Sequence, residues 1–140
     1  LSSQLFHKTT DLYASGIKVI EQVGEGIVPL IESGKVDSGQ MQLLLERYLK
    51  PMLEQNIDFL VLGCTHYPYL IPMLSKMLPS EVEIIDSGLA VAKQTQSVLA
   101  SNDLLNSSVS KPRIKLFSNG DVSVLDTILN SKFDVSYLNF

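Results

Sequence analysis

Four consecutive apolar residues, Phe59-Leu60-Val61-Leu62, stand between Asp58 and Gly63 with no polar residue among them. So short and continuous a run fits a β-strand covered on both faces, because a half-exposed strand would alternate apolar with polar side chains. A chain that holds such a strand must also supply its cover, and the flanking segments read as helices. Before the run, Met41, Leu44, Leu45, Tyr48, Leu49 and Met52 recur at steps of three and four, an amphipathic pattern. Asp37 or Ser38 can cap that helix, and Pro51 is expected to bend or break its last turn. After the run, Leu70, Met73, Leu74, Met77 and Leu78 repeat the helical spacing.

The alternation extends along the chain. Ser2 to Ser15 carries a helical stripe ended by Gly16, and Ile17-Lys18-Val19-Ile20 reads as a short strand. Gly24-Glu25-Gly26 is a loop, and Val28 to Glu32 opens a short helix that stops near Gly34. Val82 to Ile85 is strand-like, with Ser87 placed to cap a helix from Leu89 to about Ala100. Ser101 to Pro112 is polar and reads as a linker or surface loop. Ile114 to Phe117 is strand-like, Val122 to Leu129 is a helix capped by Asp121, and Phe133 to Val135 is a last strand. Strands alternating with helices predict an α/β fold with a parallel sheet between helical layers, three layers in all. Sites in such folds lie at the carboxyl ends of the strands.

Composition narrows the function. Hydrophobic residues make up 45% of the 140 and charged residues 19%, enough apolar material for a core. The net charge of -4 lacks the basic footprint of a nucleic-acid binder. No apolar run approaches the roughly 18 residues of a membrane span. A single cysteine rules out an internal disulfide and, with no leader in view, points to a reduced, cytoplasmic setting. The chain begins at Leu1, inside an apparent helix, and is expected to be part of a longer protein.

At the end of the apolar run the sequence continues Gly63-Cys64-Thr65-His66-Tyr67-Pro68. A buried strand would deliver Cys64 to the sheet's carboxyl edge, where Gly63 leaves room for a ligand. Pro68 suits the first turn of the next helix, whose N-terminus favours a thiolate or an anionic substrate. His66 is close enough to exchange a proton with a neighbour. The bland alternative is that a lone cysteine is a small buried hydrophobe. Other chemistries fit poorly. One Cys and two His cannot complete a structural zinc site. Leu70 stands where a phosphatase-type loop needs arginine, and no glycine-rich phosphate loop is present.

The segment Leu62-Gly63-Cys64-Thr65-His66-Tyr67-Pro68 resembles the second cysteine motif of glutamate racemases, in the aspartate/glutamate racemase superfamily. Val28-Pro29-Leu30-Ile31-Glu32 resembles that family's VPLxE segment at a fitting distance, and Ile84 to Ser87 and Phe117 to Asp121 resemble its later strands. Gly24-Glu25 departs from the Cys-Pro often found there, and the family's first cysteine and Asp-Ser motif have no counterpart in this chain.

The resemblance implies cofactor-independent racemisation of glutamate, with no metal, supplying D-glutamate for peptidoglycan synthesis. Two thiols act from opposite faces of the α-carbon, and Cys64 is the one in this chain. His66 is implied to assist its proton exchange, and Thr65 and His66 to line the substrate's polar groups. Glu32 is either a supporting acid or a solvated carboxylate in the first turn of its helix. Asp86 is equally ambiguous, Tyr67 buttresses the turn, and His7 is solvated.

By the same resemblance, residues 1–86 form a second α/β domain. Residues 87–140 are a return segment packing on the N-terminal domain of the same protein, which this chain lacks. The implied partners are glutamate and that domain, with no nucleic acid and no membrane, and a homodimer stays open. Aspartate or hydantoin racemases, and a non-catalytic α/β binding domain, are the rival readings.

Overall fold

The computed structural model describes residues 4–108 and 110–140. Helix α1 (Gln4–Tyr13) is followed by an irregular stretch, then α2 (Ile27–Glu32) and α3 (Gly39–Leu53). Strand β1 (Phe59–Leu62) leads through a 3-10 turn (Tyr67–Leu70) into α4 (Ile71–Met77) and β2 (Glu83–Asp86). Helix α5 (Gly88–Ser101), β3 (Leu116–Ser118), α6 (Val122–Ile128) and β4 (Val135–Tyr137) complete the order. The expected start of α1 at Ser2 and one residue of the 101–112 loop, Val109, lie outside the described residues.

Both strand pairings are parallel, as the α/β reading requires. β1 pairs with β2 in the register Phe59 to Glu83 and Leu62 to Asp86, and β3 pairs with β4 from Leu116 to Val135. The two pairs are separate two-stranded sheets among the described residues.

The core lies on one face of β1–β2. Helix α3 contributes Met41, Leu45, Leu49 and Met52, spaced to point one way. Helix α2 contributes Ile27, Leu30 and Ile31, and the segment after the site contributes Leu70 and Leu74. Leu62 anchors β1 to this cluster, with Leu60 and Ile84 packed beside it. Helix α6 reaches the same cluster through Ile128. Ser38 caps α3, its hydroxyl accepting the Met41 N–H at 3.1 Å, and Asp121 caps α6 by accepting from the Ser123 N–H at 2.8 Å.

Several sequence expectations need correction. β1 is covered on one face only: Phe59 and Val61 are 54% and 66% exposed, and Ile85 beside them is 40% exposed. Side chains alternate along a strand, and the helices pack only under Leu60 and Leu62. Residues 17–20 form no strand, because no described segment pairs with them, and Ile17 and Val19 are exposed. Pro51 does not break α3, which runs on to Leu53; so near the helix end its missing N–H removes a single intrahelical bond. Ser87 makes no side-chain cap on α5; Asp86 does this instead, accepting the Gly88 N–H at 2.6 Å. The last two strands begin two residues later than the apolar runs suggest, so Ile114 and Phe133 lie outside them. No residue of α5 is buried, although Leu89, Val91 and Val98 are apolar.

Candidate active site

The site begins where β1 stops. Leu62, 6% exposed, fixes the strand end in the core, and the chain then surfaces through Gly63. A Cβ at Gly63 would meet nothing within 4 Å, so the space beside the turn is open. The turn closes when the Tyr67 N–H donates to the Cys64 carbonyl at 3.1 Å. The next element opens as a 3-10 turn with Pro68 in its first positions. One of its leading N–H groups is therefore spent on the cysteine's own carbonyl, and the expected full α-helical N-terminus behind the thiol is absent here.

Cys64 is a free, half-buried thiol. Its Sγ lies 3.9 Å from Nδ1 of His66. The other ring nitrogen, Nε2, lies 3.2 Å from Oε1 of Glu32. The structure thus strings Cys64, His66 and Glu32 into one series of contacts. Glu32 is the last residue of α2, not in a first turn as the solvated reading had it. A carboxylate at a helix C-terminus gains nothing from the helix dipole, so the imidazole is its favourable neighbour. In the tautomer that carries its hydrogen on Nε2, the ring donates to Glu32 and turns Nδ1 to the thiol as an acceptor. The arrangement can take a proton from sulfur and return it.

Thr65 is exposed beside this series and outside it. Asp86 is engaged in capping α5, which explains it without a role in the site. Among the described residues no group of three or more His, Cys, Asp or Glu side chains is arranged to hold a metal. No helix of the described residues is long and apolar enough to cross a membrane.

Tyr67 does more than buttress the turn. Its hydroxyl reaches the Gly24 carbonyl at 3.4 Å. Burial, then the neighbouring Cys64 and Tyr48, push its phenol above the usual value of 10.0. Tyr48 reaches the same loop, donating to the Glu25 carbonyl at 2.8 Å. Sequence reading placed Tyr48 only in the apolar stripe of α3. The signal available was its hydroxyl, which a half-buried tyrosine must satisfy. Two surface concavities lie away from Cys64. One of about 400 Å³ is lined by Ile71, Leu78, Val82 and Ile84, and one of about 300 Å³ by Ile31, Tyr69, Pro72 and Ile128.

No family model matches the sequence. Individual relatives do. A glutamate racemase of Pseudomonas entomophila is 48% identical over 105 residues, covering 75% of this chain and 40% of that protein. One of Pseudomonas putida is 40% identical over 129 residues, covering 92% of this chain and 48% of the relative. The chain therefore spans less than half the length of these curated relatives. Among solved structures, a glutamate racemase of Bacillus anthracis superposes with a TM-score of 0.81 at 25% identity, covering 96% of this chain and 52% of that one. One of Francisella tularensis, solved in complex with D-glutamate, superposes with a TM-score of 0.77 at 28% identity, covering 95% and 52%.

Proposed function

We propose that this chain, related over most of its length to part of the glutamate racemases, carries one half of a two-thiol site that racemises glutamate. Inverting a stereocentre by proton transfer needs a base on one face of the α-carbon and an acid on the other. A single group would return the proton to the face it came from. Cys64 is the base toward L-glutamate: its thiolate takes the α-proton, and the planar carbanion is reprotonated on the far face by a second thiol outside this chain. In the reverse direction Cys64 gives its proton back. His66 exchanges protons with Cys64, and Glu32 holds the imidazole in the orientation and tautomer that suit it. Thr65 and His66 line the substrate's polar groups. General acid–base groups of this kind each contribute about 10²–10⁴-fold.

The observation that carries this reading is the unbroken series Glu32, His66, Cys64, ending on a thiol at the carboxyl end of a parallel strand. The reaction so drawn needs neither pyridoxal phosphate nor metal. The second thiol and most of the substrate's polar partners come from the rest of the protein, whose N-terminal domain covers the open face of β1–β2 and α5. Residues 1–86 then form one α/β domain and residues 87–140 the return to the other. Its product would be D-glutamate for peptidoglycan, made in the cytoplasm.

Polarimetry or circular dichroism on D- and L-glutamate tests the proposal, comparing the 140-residue chain alone with the longer protein that supplies the proposed N-terminal domain. The longer protein should interconvert the enantiomers and the chain alone should not, because half the positioning contacts are missing. Turnover by the chain alone would place both bases within these residues and overturn the two-domain reading.

A further inference from the structure

A side chain at Gly24 would displace the ends of Tyr67 and Ile27. A Cβ there would collide with the Tyr67 hydroxyl and stand 2.7 Å from Cδ1 of Ile27. The glycine is needed for space, since its backbone is not among those in the left-handed region. Two successive carbonyls of this loop each receive a phenol: Gly24 that of Tyr67 at 3.4 Å and Glu25 that of Tyr48 at 2.8 Å. The phenols come from far along the chain, across separations of 43 and 23 residues. The loop then feeds α2, the Ile27 N–H donating to the Gly24 carbonyl at 3.3 Å, and α2 ends on Glu32. Glu32 meets His66, which directly precedes Tyr67. The contacts close a ring from His66 through Tyr67, Gly24, α2 and Glu32 back to His66.

We infer that Tyr67, seconded by Tyr48, is a positioning residue that sets the Glu32–His66 contact, and that Gly24 exists to seat its hydroxyl. This rests on the reading of Cys64, His66 and Glu32 as a proton-transfer series. The raised phenol supports it: burial, with Cys64 and Tyr48 nearby, keeps Tyr67 protonated, and so a donor, above its usual range. The competing account is that burial of Ile27, Leu30 and Ile31 fixes α2 by itself, and the phenols only add stability.

Cys64 is the single cysteine of the chain, so its alkylation by iodoacetamide reports this site alone. The rate is followed across pH by mass spectrometry on the whole chain, for wild type, Tyr67→Phe, Glu32→Gln, the double variant and His66→Asn. Circular dichroism confirms that each is folded. The expected result is that His66→Asn and Glu32→Gln move the pH profile. Tyr67→Phe should move it the same way, slowing alkylation near neutral pH by about threefold, the scale of one lost hydrogen bond. In the Glu32→Gln background Tyr67→Phe should add nothing, since it acts through Glu32. Gly24→Ala, which displaces the hydroxyl, should reproduce Tyr67→Phe. An unchanged profile in Tyr67→Phe, with His66→Asn still effective, overturns the inference alone. An undiminished Tyr67→Phe effect in the Glu32→Gln background also overturns it, because the phenol would then act on the thiol directly. An unchanged profile in His66→Asn overturns the proton-transfer series itself.

Discussion

Replacing Cys64 by serine separates a reactive thiol from a packing one, if it is compared with a true core position in the same segment. Leu74 is 2% exposed and sits ten residues after Cys64, in the first helix behind the site. Leu74→Ala removes three carbons from a closed environment, and such changes cost about 2–5 kcal/mol. That is a large fraction of the roughly 5–15 kcal/mol available to an ordinary domain. Cys64 is half-buried, and its Sγ lies 3.9 Å from His66 Nδ1. Water can solvate a serine hydroxyl there, so Cys64→Ser should cost less than about 1 kcal/mol. Leu43, 68% exposed on α3, supplies a surface control that should change by less than about 0.5 kcal/mol on truncation to alanine. Urea unfolding followed by far-ultraviolet circular dichroism gives all three differences as midpoint shifts at constant slope. A Cys64→Ser cost equal to that of Leu74→Ala would make Cys64 a core residue and refute the reactive assignment. A Leu74→Ala cost near that of Leu43→Ala would refute the placement of the core.

Racemisation by the longer protein should survive dialysis against chelators and treatment with carbonyl reagents; loss of activity under either would contradict thiol-only chemistry. The Tyr67 phenol, raised by burial and by Cys64, contributes stability that is complete below its unfolded value of 10.0 and fades as pH rises through the folded one. Alkaline titration of tyrosinate absorbance should therefore lose its highest-pH portion in Tyr67→Phe, and an unchanged curve would deny the burial. Asp121 behaves oppositely: its bonds to the Ser123 hydroxyl and N–H hold it below 3.8, so its cap is present above that value and lost as pH falls through the lower folded one. Asp121→Asn should remove this acid-limb dependence of the helical signal, and persistence of the dependence would assign it elsewhere.

How much of this was legible in the sequence depends on the range of the interaction. Ser38, Asp121 and the stripe Met41, Leu45, Leu49, Met52 were readable because caps and helical faces act within a few residues. The contact between Cys64 and His66 was readable for the same reason, since they stand two residues apart. The contact of Glu32 with His66 was not readable. It depends on how α2 docks beside β1, which the Gly24–Gly26 loop and two tyrosines help to set. The continuous apolar run of β1 promised cover on both faces, yet this chain shields only Leu60 and Leu62. Apolarity states that Phe59 and Val61 need cover without stating which segment gives it. Residues 17–20 carry the same lesson, since strand-forming side chains make no strand without a paired edge.

The central claim is that Cys64 is one of two bases facing opposite sides of the α-carbon. Exchange of the α-proton in deuterated water, followed by proton nuclear magnetic resonance on each glutamate enantiomer with the Cys64→Ser variant of the longer protein, tests it most directly. Exchange starting from L-glutamate should be largely lost, because serine is a far weaker base at that face. Exchange starting from D-glutamate, initiated by the other thiol, should partly survive. Equal retention of both exchanges would contradict the account and leave Cys64 a packing residue.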